Sequence, residues 1–160
     1  MVLGEDLEPI RGDKAYLCLA DGAAMKADPI TAPLMDTGNS ASRWGLGRHT
    51  IALPLRQANL YDMIIVVDET CADVPETPLH TNWNTKGDVV HLRCAFTDHE
   101  ISLRRALEYI PAQECRLWNI LSLPDFKTWV SSSGKVVFGD AAHAMRPYLA
   151  QASPIYLPWK

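Results

Sequence analysis

The chain has 160 residues, 48% hydrophobic and 21% charged, the proportions of a single soluble globular domain able to bury a core. Its formal charge of -4 gives no electrostatic reason to expect nucleic acid or an anionic membrane as a partner. No apolar run approaches the roughly 20 residues of a spanning helix, and the acidic opening "MVLGEDLEPIRGDK" lacks a signal-peptide core, so a cytoplasmic location is expected.

Eleven prolines and nine glycines cut the chain into short elements. The apolar run Ala15–Ala20 predicts a strand. Helix-forming residues from Asp21 to Asp28 predict a helix that Asp28-Pro29 halts. "DTGNSASRWGLG" is dense in turn formers and reads as a loop. Arg43 and Trp44 within it could face a substrate, although a satisfied surface pair is the plainer reading. In "RHTIALPLR", His49, Ile51, Leu53 and Leu55 alternate with Thr50, Ala52 and Pro54, which is the period of a strand. Pro54 cannot donate to a ladder, so an edge or a bulge is expected there. "LYDMIIVVDE" follows a short "QAN", and Arg48–Arg56 and Leu60–Asp68 are expected to pair antiparallel.

Thr70–Lys86 is polar, with two prolines, and reads as a surface loop or linker. From Asp98 to Ile110 the period changes: Leu103, Ala106, Leu107 and Ile110 share one helical face, with Asp98 as N-cap and Pro111 as the stop. Arg104 and Arg105 fall on the solvated side of that helix. "CRLWNILSL" predicts another strand, and "PDFKTWVSSSG" a polar connection. Ser131–Ser133 lacks the G-x-S-x-G surroundings of a nucleophile. "KVVFGD" is expected to be a short buried strand that finishes in a Gly-Asp turn. The fold class is therefore α+β: a mostly antiparallel sheet with one or two helices, ending in a Gly-Asp loop.

The four cysteines, Cys18, Cys71, Cys94 and Cys115, occur singly and never as C-x-x-C. His91, Cys94 and His99 lie close together in "HLRCAFTDH", but a closed zinc site needs four ligands and no fourth is evident. No metal is expected, and the thiols read as buried or unreactive in a reducing compartment.

"KVVFGDAAHAMRP" is the stretch that carries chemistry. A strand delivers Gly139 and then Asp140 at its C-terminal end, where open α/β sheets gather their ligands. Gly139 would let the backbone pass close to a ligand, Asp140 could accept hydrogen bonds from hydroxyls, and Ala141 and Ala142 would not obstruct a flat molecule. Alternatively, Asp140 merely caps a helix that starts at Ala141. His143 reads as a locally packed residue rather than a general base.

Residues Gly134–Gln151, "GKVVFGDAAHAMRPYLAQ", resemble the second flavin-contacting motif of FAD-dependent aromatic hydroxylases, in particular the salicylate-hydroxylase-like monooxygenases. "GDKAYLCLADGAAMKADPITAPLM", "WGLGRHTIALPLRQANLYDMIIVVDE", "TNWNTKGDVV" and "WNILSLPDFKTWVSSSGKVV" are similar, in order, to the family's middle region. The resemblance spans residues 12–151 of a single partial substrate-side domain and leaves 152–160 as a divergent tail. It implies FAD as cofactor. Asp140 would contact the ribityl chain, Gly139 would allow the close approach, and Pro147, Gln151 and Ser153 would border the ring system. The implied reaction uses NAD(P)H and oxygen to hydroxylate a small aromatic or secondary-metabolite substrate.

The chain departs from the family pattern in several places. It has no G-x-G-x-x-G, because "GLG" at Gly45–Gly47 lacks the third glycine and precedes a strand. The family's Asp-Gly motif, with its downstream Ser and Arg, is also missing. The Gly expected after Gln151 is absent, and Pro154 and Pro158 oppose a long helix. Leu17 and Leu53 stand where the family often carries Arg and Tyr. Trp159 could cover apolar surface. Two functions are expected to compete: a truncated monooxygenase that needs a second chain for its dinucleotide-binding half, and a non-enzymatic remnant or accessory small-molecule binder.

Overall fold

The computed structural model describes residues 7–68 and 85–147. Most of the expected Thr70–Lys86 loop, Cys71, Gln151, Ser153 and Trp159 lie outside them. In chain order the elements are β1 (Ile10–Asp21), α1 (Gly22–Ala27), α2 (Ala32–Asp36), β2 (Ala41–Gly45), β3 (Arg48–Leu55), β4 (Leu60–Val67), α3 (Val89–Ala95), α4 (Ile101–Glu108), β5 (Cys115–Ser122) and α5 (Asp140–His143). The five strands form one sheet in the order β2-β3-β4-β1-β5, and β2–β3, β3–β4 and β1–β4 pair antiparallel. An antiparallel sheet with short helices is the α+β class expected. Among the described residues no helix is long and apolar enough to cross a membrane.

The described chain divides into two compact units, one spanning Asp13–Asn119 and one joining the residues up to Gly12 with those from Ile120 onward. In the first unit, β1 is longer than the apolar run that announces it, because Lys14–Asp21 pairs along the whole of β4. Asp21 ends it by accepting the Ala23 and Ala24 N–H groups at 2.9 and 3.1 Å, the N-cap of α1. The β3–β4 hairpin forms as expected and turns through Asn59, which tolerates a φ of 50°. Pro54 lies past the end of β2, whose pairing stops at Ala41↔Ala52, so the lost N–H falls on a locally open edge.

Alternation sorts the two faces of the sheet. Tyr16, Cys18 and Ala20 of β1, Ala52 of β3, Tyr61, Met63, Ile65 and Val67 of β4, and Cys115 and Leu117 of β5 are buried. They pack with Met25, Met35, Leu92, Phe96, Leu103, Ala106, Leu107 and Ile110 from the helical side. Burial pushes the Tyr16 hydroxyl up to about 12.

Three local expectations change. Residues 41–45 are a strand and not a loop, held by pairing with β3 through contacts such as Trp44↔His49. The helix begins at Ile101, and Asp98 does not cap it, because Arg48 donates to its carboxylate at 2.9 Å and His99 Nδ1 lies 3.1 Å away. "KVVFGD" is not buried: Val136 and Phe138 are 59% and 83% exposed, and Val136 makes only an isolated bridge to Val130. An apolar run is buried only when something covers it, and within the described residues nothing covers this one.

Candidate functional site

The Gly-Asp turn lies in the unit that begins at Ile120. Val137 N–H donates to the Trp129 carbonyl at 3.0 Å and Ser131 N–H to the Lys135 carbonyl at 2.8 Å, which forms a small hairpin through Gly134. The chain then reaches Gly139 at φ 61° and ψ -145°, a conformation that side chains resist and glycine accepts. The Gly139 carbonyl receives the Ala142 and His143 N–H groups at 2.9 and 3.0 Å. Gly139 is therefore the residue that caps α5. Asp140 is exposed and is the first residue inside the helix, not its N-cap, so the capping alternative does not account for it. Among the described residues, its two chain neighbours aside, no atom lies within 4 Å of the place a Gly139 Cβ would take, so these residues leave the space over the turn open.

Other residues of the motif pack around this turn. Ala142 is buried and Ala141 exposed. The His143 ring sits 5.8 Å from that of Trp129, and its Nδ1 is buried without a partner among the described residues. Pro147 is exposed at the last described position.

A second feature belongs to the Asp13–Asn119 unit. On the sheet face opposite the core, register aligns Leu17 with Ile64 and Ile64 with Ile51. The neighbouring row runs Leu19, Asp62, Leu53. Leu17 and Leu53, the two positions where the resemblance expects polar groups, thus share one face in adjacent rows. All six side chains are half-buried or exposed, and Asp62 is the one charge among them. Burial against this apolar face raises the Asp62 carboxyl above its usual range. Sequence reasoning missed Asp62, although an acid inside a β-branched run is a signal of the right kind.

The remaining candidates make contacts within the fold. Arg43 donates to Glu100, which holds the Glu100 carboxyl below its usual range, while Trp44 stacks on His49 at 4.5 Å. Arg43, Trp44, Gly45, Asp98, His99 and Glu100 line a shallow groove of about 350 Å³. Arg104 is exposed as expected, but Arg105 is not simply solvated: its Nε donates to Asp28 at 2.6 Å, and Tyr109 Oη donates to the same oxygen at 2.8 Å. These bonds, Arg105's first, hold Asp28 down to about 2. Among the described residues no three His, Cys, Asp or Glu side chains converge on a metal site.

No family model matches the chain. It is 28% identical over 141 residues to an FAD-dependent monooxygenase, ntnJ, of Nectria sp, covering 88% of this chain and 31% of that protein. It is 30% identical over 105 residues to the salicylate hydroxylase of Pseudomonas putida, covering 65% of this chain and 23% of the relative. The chain is thus similar to curated FAD-dependent monooxygenases over most of its own length. The fold agrees: the crystal structure of CtdE in complex with FAD and a substrate superposes with a TM-score of 0.71 at 16% identity, over 94% of this chain and 37% of that one. The chain spans about a third or less of the length of these curated relatives.

Proposed function

We propose that this chain is the substrate-side segment of an FAD-dependent monooxygenase that hydroxylates an aromatic or secondary-metabolite small molecule with NAD(P)H and oxygen. One observation carries this reading: Gly139 takes a glycine conformation and caps α5 by itself, which leaves the Asp140 carboxylate exposed and free of the capping role among the described residues. A carboxylate placed so can accept hydrogen bonds from the hydroxyls of a ribityl chain, and the open space over Gly139 admits such a chain. Pro147, Gln151 and Ser153 would border the ring system. When bound, the flavin supplies the redox chemistry: reduction by NAD(P)H and delivery of one oxygen atom to an activated ring.

The residues of the chain bind, orient and exclude water. The rows through Leu17, Ile64 and Ile51 and through Leu19, Asp62 and Leu53 offer an apolar wall to a planar substrate. Asp62, whose carboxyl is raised by burial, is placed to exchange a hydrogen bond with a hydroxyl or amine on that substrate.

Affinity argues for a further component. A hydrogen bond to a charged group is worth about 1.5–3 kcal/mol, whereas a dissociation constant of about 1 μM needs about 8 kcal/mol. Asp140 cannot hold FAD alone, and the chain has no G-x-G-x-x-G to seat the pyrophosphate on a helix N-terminus. On this reading a dinucleotide-binding unit would have to be supplied by other polypeptide, in a longer chain or in a partner.

The apolar residues at Leu17 and Leu53 favour a second reading, an accessory binder of a hydrophobic small molecule that holds no flavin. The two separate in one assay. The chain, joined to the family's dinucleotide-binding unit and loaded with FAD, is given NAD(P)H and a panel of phenols and indoles. Ligand-stimulated NAD(P)H oxidation with a product heavier by one oxygen supports the monooxygenase. Ligand binding without either supports the accessory role.

A further inference from the structure

Two thiols that the proposed chemistry does not use lie together in the core. Cys18 of β1 and Cys115 of β5 occupy neighbouring strands, both on the buried face, at 1% and 0% exposure. Cys18 Sγ–H donates to Cys115 Sγ across 3.3 Å. They are 97 positions apart in the sequence, so only the sheet brings them into contact. Gly87 closes over Cys115, donating its N–H to the Cys115 carbonyl at 3.1 Å, and a Cβ on Gly87 would fall 2.6 Å from the sulfur. The backbone can come this close only because residue 87 has no side chain.

We propose that Cys18 and Cys115 are a redox pair that peroxide converts to a reversible disulfide, fastening β1 to β5. The sulfurs need to move only from 3.3 Å to the roughly 2.0 Å of a disulfide, which small side-chain rotations supply. Polarity favours Cys115 as the first sulfur to react. The hydrogen bond it receives from Cys18 lowers its pKa against the opposing effect of burial, while donating that bond, together with burial, raises the pKa of Cys18. The Cys115 thiolate attacks hydrogen peroxide: an S–O bond forms, the O–O bond breaks and hydroxide leaves. Cys18 then gives up its proton and its sulfur attacks the Cys115 sulfur: the S–S bond forms, the S–O bond breaks and the oxygen departs as water. In sum, two thiols and one peroxide give one disulfide and two waters, with two electrons passing to the peroxide.

Cys94 is exposed and serves as an internal control for oxidant access. The test treats the folded chain with hydrogen peroxide, quenches with acid, alkylates under denaturing conditions and maps the peptides. The expected product carries two alkyl groups fewer than the untreated chain, yields a Cys18–Cys115 linked peptide, and reverts with dithiothreitol. Because the closed loop is long, its Tm should also rise by roughly 5–10 °C over the reduced form. Alkylation of both Cys18 and Cys115 after Cys94 has been oxidised would overturn the proposal. So would a disulfide that joins either residue to Cys71 or Cys94. Because the decisive readout is on the unmutated chain, it does not depend on any variant folding.

Discussion

At residue scale the account rests on two carboxylates with opposite fates. Asp140 is exposed and, among the described residues, has no capping role. On the proposed reading, Asp140→Ala weakens FAD binding by the full chain with its dinucleotide-binding unit roughly ten- to a hundredfold, the equivalent of one charge-assisted hydrogen bond. Its thermal stability should stay unchanged, since the side chain is exposed and no described residue is held by it. Fluorescence titration beside a melting curve checks both halves of that statement. Asp28, by contrast, is bound by Arg105 and Tyr109 and held down to about 2. A carboxyl depressed in the folded state stabilises fully above its unfolded value of about 3.9, and that contribution disappears as the pH falls through the folded value. Asp28→Asn should therefore lower the urea midpoint at pH 7, and the gap between variant and parent should narrow between about pH 4 and pH 2. A gap of constant size down to pH 2 would show that Asp28 acts through packing.

At the scale of elements, α4 tests how the core is built. Leu103 is 1% exposed on its inner face and Ile101 is 65% exposed on its outer face. Leu103→Ala should cost about 2–5 kcal/mol of unfolding free energy, and Ile101→Ala less than about 0.5 kcal/mol, both readable from denaturant unfolding. The same contrast explains what the sequence made legible. The apolar face of α4 and the β3–β4 hairpin are written in local periodicity, and both appear where expected. β2 has no periodicity of its own and exists by pairing with β3, so turn-rich residues 41–45 read as a loop. Asp88, which accepts the Val90 and His91 N–H groups, starts α3 in a stretch whose pattern gave no helix. "KVVFGD" erred the other way, because the pattern encodes a wish for burial and burial needs a neighbour. The Gly-Asp turn was legible because its residues are contiguous. The face shared by Leu17, Leu53 and Asp62 was not, because strand register, and not sequence distance, assembles it.

At the scale of the whole molecule, the matches cover most of this chain but a third or less of these relatives. It displays exposed Val130, Val136 and Phe138 beside the Gly-Asp turn. Apolar side chains left this bare are expected where more polypeptide packs, in keeping with a cofactor site completed from outside these residues. The measurement that tests this most directly is an FAD titration of the folded chain, alone and with the family's dinucleotide-binding unit, followed by flavin fluorescence and absorbance. The account predicts no micromolar binding by the chain alone, micromolar binding by the combination, and a loss of that affinity with Asp140→Ala. Micromolar binding by the chain alone, or a combination indifferent to Asp140, would contradict it.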